Sequence, residues 1–143
     1  MNKLILLLLF VACGKSPFLE TPSASDRVIH AQSVKSDLTF ETEVLTINTY
    51  FRNSLTVGEE ISMLIIMTNE FGVPTSPMSN FKMKLWMPDM GHGSFPVSIT
   101  NVSAGVFEAN EIFFTMPGYW DIHFELHDEN NKIVEKVLWG IDL

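Results

Sequence analysis

The sequence predicts an all-β protein, a β-sandwich of about seven strands. Short runs rich in β-branched and aromatic residues recur from residue 43 to the C-terminus, divided by Gly, Pro, Asn and Asp. One run alternates without a break, Trp120, Ile122, Phe124 and Leu126 against Asp121, His123, Glu125 and His127. That is the signature of a strand with one buried face. No amphipathic helix longer than two turns and no internal repeat competes with this pattern.

The chain opens on Lys3, an unbroken apolar run from Leu4 to Val11, and Ala12-Cys13-Gly14. The run is too short to cross a bilayer, which takes roughly twenty residues, whereas a basic start, a short apolar stretch and a small residue form an export signal. Phe10-Val11-Ala12-Cys13 resembles the bacterial lipobox, with Phe10 where Leu is usual. The resemblance implies that residues 1–12 are removed, that Cys13 carries a thioether-linked diacylglycerol, and that this lipid anchors the chain on the extracytoplasmic side of a membrane. Gly14 in place of an aspartate favours the outer membrane if the cell has two. Cys13 is the only cysteine, so lipidation leaves no thiol for catalysis, metal binding or a disulfide.

Residues 14–37 are rich in Ser, Thr, Pro and isolated charges without a sustained period. They predict a flexible tether, so that 13–40 comprises the lipidated cysteine and a linker with a reach of roughly 25 to 30 Å. His30 falls within it with no candidate partner nearby in sequence. The folded domain is expected over 41–143, long enough for one real core and too short for two.

Within it the expected strands are 43–51, 60–68, 81–87, 96–101, 105–109 continuing through 112–116, 118–127 and 132–139. Val57-Gly58-Glu59, Asn69-Glu70-Phe71-Gly72-Val73-Pro74 and Asp128-Glu129-Asn130-Asn131 supply turn chemistry between them. The inward set shifts register near Asn110-Glu111, from Phe107 and Ala109 to Ile112, Phe114 and Met116, which calls for a bulge.

Seventeen acidic residues against nine basic give a formal net charge of −8. That balance argues against nucleic acid, whose phosphates are held by clustered Lys and Arg, and against electrostatic docking on anionic lipid. No Gly-rich phosphate loop, free thiol or Gly-x-Ser-x-Gly serine is present, so the chain does not read as an enzyme. His123 and His127 share a strand face roughly 13 Å apart, too far to chelate one ion, and with Asp121 and Glu125 they read as a solvated face.

The informative segment is Leu85-Trp86-Met87-Pro88-Asp89-Met90-Gly91-His92-Gly93. Two thioethers and an imidazole fall close together, and the proline and two glycines allow the backbone to bend until side chains converge. Thioether sulfur favours Cu(I), and imidazole accepts copper in either oxidation state. Together with Gly105-Val106-Phe107 and Phe114-Thr115-Met116-Pro117-Gly118-Tyr119-Trp120, this segment resembles the YtkA-like domain, a family related to the FixH proteins. The family pattern is Met-Pro-x-Met-Gly-His, then Gly-x-Tyr, then Phe-x-Met-Pro-Gly-x-Trp. The resemblance covers roughly residues 46–139, with Phe107 where Tyr is common.

The resemblance implies an extracytoplasmic immunoglobulin-like sandwich. FixH-type members accompany assembly of haem-copper oxidases, and similar small β-domains handle copper. Met87, Met90, His92 and Met116 form a candidate Cu(I) set if the two Met-Pro elements meet at one end, with Trp86 as a cation-π wall or a core residue. Packing explains the same residues differently. Met87 continues the inward series of Phe81, Met83 and Leu85, Met90 and Met116 plug the end of the sandwich, and His92 bonds to turn backbone. Two functions follow: a membrane-tethered domain that binds or delivers copper to a copper-handling partner, or a metal-free module that docks on another envelope protein.

Overall fold

Side-chain alternation decides which face of each segment is buried, and the computed structural model, which describes residues 32–143, follows it closely. The signal segment 1–12, Cys13 and His30 lie outside the described residues. Nine strands are present among those described: β1 (Gln32–Phe40), β2 (Leu45–Phe51), β3 (Glu60–Thr68), β4 (Asn80–Met87), β5 (His92–Gly93), β6 (Ser98–Ser103), β7 (Val106–Phe113), β8 (Tyr119–His127) and β9 (Ile133–Asp142). One antiparallel sheet has the order β1-β2-β3-β7-β6 and the other β5-β4-β8-β9. The inner faces of the two sheets share one core, which makes the fold a β-sandwich.

That core is built from the alternate residues expected. Ile47, Phe51, Ile61, Met63, Ile65 and Met67 come from β2 and β3, and Trp120, Ile122, Phe124 and Leu126 from β8. Phe81 bridges the sheets, with its ring centroid 5.3 Å from Phe107 and 6.3 Å from Phe124. Phe107 is thus a core aromatic, and its packing calls for no hydroxyl.

The turns behave as their residues dictate. The Asn69 side chain accepts hydrogen bonds from the amides of Phe71 and Val73, and the Asp128 side chain accepts from Asn130 and Lys132. In each case a short polar side chain closes the reversal onto backbone. The bulge also forms. Ile61 pairs with Ile112 and Met63 with Ala109, so Ser62 alone opposes Asn110 and Glu111, and Glu111 takes a φ of 60°.

Two strands depart from the sequence expectation. The last part of the segment expected as a tether, 13–40, is instead folded: Gln32–Phe40 is strand β1, paired with β2 and contributing Leu38 and Phe40 to the core. The second is β5, a two-residue strand formed by His92 and Gly93 within the candidate loop. β1 lies over β9 at one side of the sandwich. There the Glu135 carboxylate accepts hydrogen bonds from the Glu41 and Thr42 amides and the Thr42 hydroxyl. Burial raises the Glu135 pKa, but these three donors outweigh it and hold the value below the ordinary carboxylate range.

Candidate functional site

The loop after β4 is a closed structure made by its proline and glycines. Pro88–Met90 forms a single 3₁₀ turn with proline at its start, and Gly91 ends it in the left-handed region at φ 66°. The Gly91 amide donates to the carbonyls of Met87 and Pro88. The chain then returns beside β4, pairing His92 with Met87 and Gly93 with Trp86. A side chain on Gly93 would place its Cβ 2.8 Å from the Leu85 carbonyl oxygen, so only glycine allows this approach. Both glycines flanking His92 are therefore structural requirements of the hairpin.

The second Met-Pro element meets the first at this end of the sandwich. A Cβ on Gly118 would lie 2.7 Å from the Met87 terminal methyl, which shows how closely Met87 approaches the 116–118 segment. The Trp120 indole N–H donates to the Met116 carbonyl at 3.0 Å. The His92 ring stands edge-on to Trp120 at a centroid distance of 6.3 Å. The four candidate ligands occupy different depths there. Met87 is buried among core residues, Met116 is partly buried against them, His92 is half-buried, and Met90 is 59% exposed at the turn. His92 Nδ1 also lies 3.1 Å from the Gly93 carbonyl oxygen, the backbone contact expected of a turn histidine. Trp86 faces outward, where Lys84 Nζ sits 5.1 Å from its ring centroid.

Among the described residues no group of three His, Cys, Asp or Glu side chains is placed to hold a metal ion. A metal at this end would rely on thioether sulfur with His92, a donor set suited to Cu(I). The residues fit such a cation in kind, because three thioethers and one imidazole come from two segments that meet at this end of the sandwich, Met90 exposed, His92 half-buried, and Met87 and Met116 more deeply placed.

A family model described as YtkA-like matches residues 41–135, about two thirds of the chain. The chain belongs to the YtkA-like family. No curated protein matches the sequence. In this YtkA-like domain the first and last family motifs are neighbours in space as well as markers in sequence, since the His92 ring stands against Trp120, the tryptophan that closes the last motif.

A second polar group was misjudged from sequence. His123, Glu125 and His127 lie on the outer face of β8, expected to be solvated, yet they are only 6 to 8% exposed. His127 Nε2 meets Glu125 Oε2 at 2.9 Å, and its Nδ1 faces the Asn131 carbonyl at 3.1 Å, so that ring is held at both ends. His123 Nδ1 stands 3.6 Å from Glu125 Oε1 and has no hydrogen-bond partner among the described residues. Burial lowers the His123 pKa, helped by Lys136 and Lys84 and opposed by Glu125. Alternation could locate these side chains on the outer face but carried no signal of their cross-strand neighbours, Lys84 beside His123 and Lys82 and Lys136 beside Glu125.

Proposed function

We propose that this YtkA-like protein is an extracytoplasmic lipoprotein, anchored through Cys13, whose sandwich binds Cu(I) at the end carrying Met87, Met90, His92 and Met116 and passes it to an envelope partner. One observation carries the copper assignment. Met90 is a large apolar side chain exposed in the 3₁₀ turn, two residues before His92 and outside the core. Packing gives no reason for it to be there, whereas capture of a soft cation does. The pairing sets His92 opposite Met87 across β5 and β4, and the left-handed Gly91 closes the turn that carries Met90 at the same end.

Depth then separates the roles. Met90 and His92 are the ligands that first meet incoming copper and last release it, while Met87 and Met116 complete the set from the packed side. Cu(I) is cargo here, held without a thiolate, as suits an oxidising compartment in which free thiols are lost. The anchor follows from the lipobox-like segment at Cys13, and an extracytoplasmic location agrees with membership of the YtkA-like family.

The experiment is a Cu(I) competition titration of the purified chain against a chromophoric chelator. The wild-type chain is expected to withdraw copper from the chelator, and the Met90→Leu, His92→Ala double variant is expected not to. Unchanged affinity in the double variant would overturn the copper assignment. For the anchor, Cys13→Ser should move the chain from the membrane fraction to the soluble fraction of lysed cells.

A further inference from the structure

The two sheets do not match along one side of the sandwich. β6 is a six-residue edge strand on its sheet, but its counterpart β5 pairs with β4 only at Trp86 and Met87. Residues 80–85 of β4 therefore form an open edge. The direction of its free hydrogen-bonding groups follows from the hairpin. The Ser94 amide donates to the Leu85 carbonyl and the Gly91 amide to the Met87 carbonyl, so Leu85 and Met87 direct their backbone groups away from β8. With a strand period of two, Met83 and Phe81 direct theirs the same way. Among the described residues nothing pairs with them.

Beside that edge lies a cleft of about 560 Å³, lined on its inner side by Phe81, Met83, Phe95, Pro96, Val97 and Ile99. Phe95 is 63% exposed. Lys82 and Lys84 stand on the outer side, with Lys136 two strands away in the row of Lys82 and Glu125. None of the three lysines forms a salt bridge among the described residues: Lys82 donates to the Asn131 side chain, Lys84 lies over the Trp86 ring, and the Glu125 carboxylate is engaged by His127. An acidic chain thus gathers three lysines around the single carboxylate of Glu125 on the outer side of this apolar cleft.

From this we infer that β4 accepts an extended segment of a partner protein as an added strand, and that the segment alternates apolar and acidic residues. The alternation is a consequence of register. Residues of an added strand that lie beside Phe81 and Met83 turn into the cleft, and those beside Lys82 and Lys84 turn outward toward the lysines. Backbone pairing supplies affinity, the cleft selects apolar side chains, and opposite charges in cross-strand positions select acidic ones. A second copy of this chain is a poor occupant, since β4 against β4 would set Lys82 and Lys84 against their own counterparts. The inference is independent of copper, because β4 docks its partner along residues 80–85 and the methionine–histidine end lies beyond Met87.

The test uses the purified full chain and a short fluorescent peptide alternating valine and glutamate, followed by anisotropy. The alternating peptide is expected to bind, more weakly at high salt, and a peptide of equal composition with its valines and glutamates in separate blocks is expected not to. Lys82→Glu with Lys84→Glu should weaken binding by about tenfold or more. N-methylation of the alternate peptide amides that face β4 should abolish binding, and methylation of the other set should not. The amide protons of Phe81 and Met83 should exchange quickly in the free chain and become protected when the peptide is added. Equal binding of the block peptide, indifference to N-methylation, or self-association through β4 that the peptide displaces would each overturn the inference.

Discussion

At the scale of single residues, the core holds one position where side-chain chemistry and place disagree. Thr49 occupies an inward site of β2 between Ile47 and Phe51, fully buried, and its hydroxyl has no partner among the described residues. Val has nearly the same shape without the stranded polar atom. Thr49→Val should therefore raise stability by about 1 kcal/mol, read as a higher urea midpoint with an unchanged slope. Gly105 is the opposite case. At φ 68° its Cβ would fall 2.3 Å from the Thr75 amide nitrogen and 2.6 Å from the Met67 carbonyl oxygen. These are backbone atoms, held by the Thr75 to Met67 and Met67 to Gly105 hydrogen bonds. Gly105→Ala should cost about 3 kcal/mol or more. Gly140→Ala should cost far less although its Cβ would lie 2.0 Å from the Tyr119 hydroxyl, because that exposed ring can swing away. Equal losses in the two variants would show that the contact distance alone, and not what it touches, sets the cost.

At the scale of elements, the bulge in β7 decides whether the second half of that strand faces the core. Glu111 is a non-glycine residue in the left-handed region, a conformation that costs an ordinary side chain about 1 kcal/mol. Its backbone amide donates to the Glu60 carboxylate, a bond that glycine at this position keeps. Glu111→Gly should raise the melting temperature, whereas deletion of Glu111 should slip Ile112 and Phe114 to the outer face and leave the chain unfolded, both visible by circular dichroism. This bulge was legible in the sequence because two apolar series of opposite phase met at Asn110-Glu111. β2, β3, β4 and β8 were legible for the same reason, since a buried face writes itself into every second residue. β1 was not, because it is an irregular edge strand whose register shifts interrupt a period of two. β5 could not be, because a two-residue strand has no period. The candidate loop was visible through its residue types. Its meeting with Trp120 depends on the register of β4 against β8, which pairs Trp86 with Asp121 and is a property of the sheet.

At the scale of the whole molecule, charge is distributed unevenly on an acidic chain. The outer face of the β5-β4-β8-β9 sheet collects Lys82, Lys84 and Lys136 around His123, Glu125 and His127, and this ties the stability of the fold to pH. In the folded chain burial, with Lys136 and Lys84, keeps the His123 pKa below its ordinary value of 6.5 despite the attraction of Glu125. Above that ordinary value folded and unfolded chains both hold the ring neutral, so it adds no pH dependence. As the pH falls below it, the unfolded chain binds a proton that the folded site resists, and stability declines until the lowered native value is reached. Glutamine at this position keeps a polar side chain without a titrating group. Urea midpoints measured between about pH 7.5 and 5.5 should fall more steeply with acid for the wild-type chain than for His123→Gln. Parallel lines for the two proteins would mean that His123 takes up its proton equally in both states and carries no such linkage.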